Sequence, residues 1–180
     1  MKYQNGRVYE GEWEEDQRHG RGYEKYPNGN HYLGEFQFGK AHGKGRYHWI
    51  EPGEVYDGEW SKGIRHGYGV WKKAGVGEGD SYVGQWKQGK ADGYGVHSWS
   101  NGDKYEGEWR QCMKHGRGTD FFGNGDRYSG TYKLGKPDGQ GVYTWASDSS
   151  YEGQFRLGLK HGRGKWKKAI GVNTSPGKET

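Results

Sequence analysis

Tyr105-Glu106-Gly107-Glu108-Trp109, a short polar run, then His115-Gly116-Arg117-Gly118, Phe122 and Asn124-Gly125 is the stretch that decides the fold. Taken alone it offers the materials of an active site: an acidic pair, a histidine and a glycine-rich loop. Its tyrosine, however, belongs to a series, Tyr9, Tyr32, Tyr56, Tyr82, Tyr105, Tyr128 and Tyr151, with spacings of 23, 24, 26, 23, 23 and 23 residues. Glycine follows each of these two places on, and an aromatic four places on: Trp13, Phe36, Trp60, Trp86, Trp109, Tyr132 and Phe155. A Gly-x-Gly recurs in every copy, from Gly20/Gly22 to Gly162/Gly164. Such a period marks an architecture whose single unit cannot bury its own apolar face.

Each unit reads as a β-hairpin. Tyr-x-Gly-x-Trp alternates with the period of a strand, placing Tyr105, Gly107 and Trp109 on one face and Glu106 and Glu108 on the other. With Arg110 to His115 as a loop, Trp109 is expected opposite Gly116 and Gly107 opposite Gly118, so that rings lie over bare backbone. Asn28-Gly29, Asn101-Gly102 and Asn124-Gly125, with Pro52-Gly53 and Ser147-Asp148, supply turns between units. The third unit is lengthened through Gly75-Val76-Gly77-Glu78-Gly79. Seven units of two strands at ~4.8 Å per strand predict an elongated ribbon about 65 to 70 Å long.

Composition agrees with a structure built on rings. Only 29% of the 180 residues are hydrophobic, yet 16% are Phe, Trp or Tyr, which separates the chain from disordered sequences. One cysteine, Cys112, excludes an intramolecular disulfide and fits a reducing compartment. The first residues lack a signal-peptide core and no apolar run reaches membrane-spanning length, so a soluble, cytoplasmic chain is expected. The net charge of +5 is spread over interspersed acids and bases.

The units resemble MORN repeats (membrane occupation and recognition nexus), whose pattern runs Tyr-Glu-Gly-Glu-Trp, a polar turn, His-Gly-x-Gly and an aromatic. The resemblance extends from Tyr3 to about Trp166. Asp92 and Asp138 depart from the usual His, and Tyr132 and Phe155 from the usual Trp. It implies an all-β, single-layer twisted antiparallel meander with no catalytic centre, cofactor or metal. Its organisation here is a partial repeat over residues 1–8, seven repeats over 9–166 and a polar tail over 167–180. Tyr3 and Asn5-Gly6 match the end of a repeat, which suits a half-repeat cap or an excised fragment.

His19, His42, His66, His115 and His161 share one repeat position. Successive units lie about 10 Å apart, whereas zinc ligands sit within about 2.3 Å of one ion, so a turn-organising hydrogen bond is the expected role. Asp92 and Asp138 fill the same slot. No nucleophile and base are brought together by the pattern, and a non-enzymatic chain is expected. Tyr56, Trp60, Tyr82, Trp86, Tyr105 and Trp109 are expected to line an aromatic groove for protein partners. Arg18, Lys40, Arg65, Lys90, Lys114, Lys136 and Lys160 are expected to form a basic row along the hairpin-loop edge, for anionic lipid or an acidic partner. Glu12, Glu35, Glu59 and Glu108 are expected to pair across the non-aromatic face with Arg21, Lys44, Arg117 or other basic residues of second strands, as surface ion pairs. Acidic residues interrupt any continuous positive face, which argues against nucleic acid.

The functional expectation is a scaffold holding protein partners in a larger assembly, a setting the resemblance places in the cytoskeleton or in a cilium or flagellum axoneme, as in a radial spoke. The alternatives are a peripheral membrane tether recognising anionic phospholipid, and a targeting segment of a larger enzyme. Open sheet ends also permit a homodimer.

Overall fold

The computed structural model describes residues 1–74 and 79–169. Its strands are β1 (Val8–Glu14), β2 (Gln17–Lys25), β3 (His31–Gln37), β4 (Lys40–Trp49), β5 (Glu54–Ser61), β6 (Ile64–Lys73) and β7 (Ser81–Lys87). They continue as β8 (Lys90–Ser98), β9 (Lys104–Arg110), β10 (Met113–Phe121), β11 (Arg127–Lys133), β12 (Lys136–Thr144), β13 (Ser150–Arg156) and β14 (Leu159–Lys167). All 14 pair in sequence order in one open antiparallel sheet, as the repeat predicts. At the first edge, Lys2 bridges Val8, and Tyr9 N donates to Met1 O at 2.8 Å. The inserted residues 75–78 of the third unit and the tail beyond 169 lie outside the described residues.

The hairpin differs from expectation at its tip. Arg110 pairs with Met113 and Trp109 with Lys114, leaving a two-residue turn at Gln111-Cys112 instead of a six-residue loop. Both turn residues have positive φ (53° and 65°), which matches the right-handed twist of the flanking strands. Five sister turns put glycine in the second place: Gly39, Gly63, Gly89, Gly135 and Gly158. The residues thus released form a bulge. Register shifts between Lys114 and Gly118, where Gly116 takes a φ of 56°, and resumes with Gly107 opposite Gly118. Gly116 instead faces Tyr132 of the next unit.

The two glycines of Gly-x-Gly therefore have different jobs. The first bends the bulge under the Glu108 carboxylate, whose Oε1 accepts the Arg117 N–H at 2.8 Å. Glu12, Glu35, Glu59 and Gln85 cap Arg21, Lys44, Tyr68 and Tyr94 in the same way. The expected ion pairs are thus corrected: these glutamates satisfy backbone N–H groups orphaned by the bulge, not the side-chain charges of Arg21, Lys44 or Arg117. The second glycine lies under a ring, but it is the tyrosine ring, not the tryptophan. A Cβ on Gly118 would lie 2.5 Å from Tyr105 Cζ. The Tyr105 hydroxyl donates to Glu108 O at 3.0 Å, a bond repeated by Tyr9, Tyr32, Tyr56, Tyr82 and Tyr128.

Those tyrosines form the core with the aromatics four places on. Tyr82 meets Trp86 of its own unit and Trp109 of the next edge-on, at centroid distances of 5.1 and 5.5 Å. The same alternation runs from Trp13 and Tyr9 through Phe36, Tyr32, Trp60 and Tyr56 to Tyr128, Phe155 and Tyr151. Trp60, Trp86 and Trp109 also donate from Nε1 to Gly45 O, Gly69 O and Gly95 O of the preceding unit.

Gly118→Ala should lower stability by about 1 to 3 kcal/mol through overpacking against Tyr105. Cys112→Gly should raise it by up to about 1 kcal/mol, by relieving a non-glycine residue of left-handed backbone. Urea denaturation midpoints of the two variants check both signs.

Candidate partner-binding surface

The strand alternation that builds the core divides the sheet into an aromatic face and a polar face. On the aromatic face the six expected groove residues are the core itself. Tyr56 and Tyr105 are 0% exposed, Tyr82 is 2%, and Trp60, Trp86 and Trp109 are 7%. The expectation of an open groove along them is corrected, because each ring is covered by its neighbours in the edge-to-face series.

A second row of rings on the same face is only half-buried. It comprises Tyr47, Trp49, Trp71, Trp99 and Phe122, packed against the core from the side of the interunit turns, and Trp145, which packs on Tyr143 and Trp166. His97 stacks on Trp99 at 4.2 Å, and burial pushes its imidazole pKa down. All six rings stand two or four places after the second glycine of a Gly-x-Gly. Exposure could not be read from this spacing, since both rows share the strand period.

The basic residues divide between the faces. Arg18, Arg65 and Lys114 stand opposite Trp13, Trp60 and Trp109, and Lys160 stands opposite Phe155. They turn onto the aromatic face. Arg65 lies 4.5 Å over Trp86 and 5.9 Å over Trp49, Lys114 4.9 Å over Trp99, and Lys160 4.4 Å over Trp145. Arg18 pairs with the buried Glu24, and Lys114 with Asp120, whose other oxygen accepts the Tyr132 hydroxyl at 2.8 Å. Arg65 donates to Gly89 O at 2.9 Å, and its burial among rings lowers its pKa.

Lys40, Lys90 and Lys136 sit one residue earlier, beside the turns and opposite Gln37, Lys87 and Lys133. A shift of one residue sends a strand side chain to the other face. In those units the place of the arginine is taken by Ala41, Ala91 and Pro137, so a long cation alternates with a small residue along the array. The expected single basic row is corrected to four cations on the aromatic face and three at the hairpin tips.

One structural series has no counterpart in the sequence reading. Asn30, Asp80, Asp103 and Asp126, two places before their tyrosines, accept the N–H groups of Ile50, Ser100, Gly123 and Ala146 at 2.8 to 2.9 Å. The Ser100 bond holds the Asp80 carboxyl below the usual range. At the opposite edge Asp92 and Asp138 accept from Gln111 N and Leu157 N, while His19 Nδ1 lies 2.8 Å from Glu14 Oε2. The turn role expected of this slot holds for both aspartates, which bind the next unit's turn. On the polar face an open depression of about 650 Å³ runs over the glycines of β9 to β12, between Tyr94, Glu106, Phe121, Gln140 and Glu152.

The MORN repeat model matches residues 9–31, 32–50, 56–74, 82–104, 105–127, 128–150 and 151–172. The chain belongs to the MORN-repeat family. No curated protein sequence is significantly similar to it. Among solved structures it is similar to the Drosophila melanogaster SAS-4 (dCPAP) TCP domain in complex with a proline-rich motif of Ana2 (dSTIL). That similarity has 16% identity and a TM-score of 0.48, covering 83% of this chain and 84% of the other.

Burial raises the phenol pKa of Tyr32, Tyr56, Tyr82 and Tyr105, and that of Tyr128 to about 12. An acid whose folded pKa is raised contributes stability that is complete below its unfolded value, near 10, and is lost as pH climbs toward the folded value. The MORN array should therefore unfold cooperatively in alkali between about pH 10 and 12, with phenolate absorbance rising together with loss of circular dichroism. Tyrosines that titrate one by one before the sheet is lost would contradict this.

Proposed function

We propose that this MORN array is a non-catalytic scaffold that holds a protein partner along its aromatic face, in a cytoskeletal or ciliary assembly. The observation that carries this reading is the half-buried row Trp49, Trp71, Trp99 and Trp145, with Arg65, Lys114 and Lys160 seated among its rings. Aromatic and cationic anchors at the centre of an apolar patch are the composition of protein interface hot spots. Anionic lipid is served less well, because the seven cations are split between the aromatic face and the hairpin tips. The cellular setting rests on family resemblance.

Affinity capture from the source cell, followed by mass spectrometry, compares the parent chain with Trp71→Ala/Trp99→Ala. The double variant should keep its circular dichroism and lose specific partners by at least about tenfold. Undiminished capture would contradict the assignment of this row. Flotation of both chains with phosphoinositide vesicles, without any specific protein partner, would support the tether reading instead.

A further inference from the structure

We propose that the two edges of this sheet are complementary and join head to tail, so that β14 of one copy pairs with β1 of another in the register used between repeats. Three features of the edges support this.

The ring series ends unfinished in a matching way. Each tyrosine from Tyr9 to Tyr128 receives a ring from its own unit and another from the next, whereas Tyr151 is met edge-on by Phe155 alone among the described residues. At the other end Trp13 is 43% exposed, while Trp60, Trp86 and Trp109 are covered by the preceding unit. The indoles of those three find glycine carbonyls in that unit, and for Trp13 the equivalent acceptor is Gly164 O of another copy. A docked Trp13 would sit against Tyr151 as Trp109 sits against Tyr82.

The backbone edges match as well. β14 is exposed along its whole length, and its outer edge pairs with no strand among the described residues. On β1, Met1 occupies the outward N–H and carbonyl of Tyr9, and this covers only one end of the edge. The outward groups of Gly11 and Trp13 come next in the antiparallel alternation. Copying the register of β2 with β3 places Gly162 opposite Trp13, Arg163 opposite Glu12, Gly164 opposite Gly11 and Lys165 opposite Glu10. Completing the pairing at Trp166 and Tyr9 requires Met1 to leave.

Charge then selects the mode of association. β1 carries Glu10, Glu12 and Glu14 on its polar face, and β14 carries Arg163, Lys165 and Lys167 on the same face. Two β1 edges or two β14 edges would oppose like charges, whereas β14 against β1 opposes unlike ones. The pairing of Lys165 with Glu10 has an internal precedent: Arg46 and Asp57, at the same repeat positions, make a hydrogen-bonded ion pair with Nε to Oδ2 of 2.8 Å. Because the two joining surfaces differ, the contact is head to tail, and in the register used between repeats each added copy extends the ribbon into a linear oligomer.

The test is analytical ultracentrifugation of the full 180-residue chain over a range of concentrations, at low and high salt. Parent chains should give a sedimentation coefficient that rises with concentration and falls with salt. Lys165→Glu and Glu10→Lys, both folded by circular dichroism, should each remain monomeric, and an equimolar mixture of the two should regain association. Trp13→Ala should weaken self-association by at least about tenfold. A parent chain that stays monomeric at every concentration would overturn the proposal. So would variants that associate as the parent does, or a mixture that stays monomeric.

Discussion

The structure depends on one repeated contact, the edge-to-face meeting of a tyrosine with two aromatic rings, one from its own hairpin and one from the next. An aromatic quadrupole favours this geometry over face-to-face stacking, at about 0.5 to 1.5 kcal/mol per pair beyond area burial. Because the contact recurs at every junction, a chain poor in aliphatic residues acquires a continuous core one ring thick. The glycines follow from it. A tyrosine can lie flat on the sheet only where both the strand beneath and its partner lack Cβ atoms, as at Gly107 and Gly118.

Much of this was legible in the sequence. The period located every unit, and the alternation within Tyr-x-Gly-x-Trp placed the rings on one face and the glutamates on the other. The turn departs from the spacing for a physical reason. Six residues between Trp109 and Gly116 look like a loop, because sequence spacing cannot distinguish a loop from a two-residue turn followed by a bulge. The same ambiguity displaced the basic residues. Lys40 and Arg18 each supply the basic residue just after the turn of their hairpin, yet Lys40 stands one residue closer to its turn, and a one-residue offset in a strand reverses the face. The bridging series of Asn30, Asp80, Asp103 and Asp126 was present in the spacing, but its role needs partners about 20 residues away that only the fold brings near.

The candidate surface follows from the same geometry. A row of rings that closes each repeat is covered on one side by the core and by nothing comparable on the other, so it stays half-buried. Cations from alternate units reach into it, while Ala41, Ala91 and Pro137 leave room for them in the units between. The array thus carries a two-unit rhythm on top of the single-unit repeat. Its polar face follows different rules, with carboxylates committed to bulge N–H groups and a shallow depression over the glycines.

The central claim is that rings couple adjacent repeats energetically. A double-mutant cycle between Tyr82→Leu and Trp109→Leu, with Tyr82→Leu and Phe155→Leu as the distant control, measures this directly. The account predicts a coupling of about 0.5 to 1.5 kcal/mol for the adjacent pair, and additivity within about 0.5 kcal/mol for the distant one. Additive losses at Tyr82 and Trp109 would contradict it, because the repeats would then be held by backbone pairing alone.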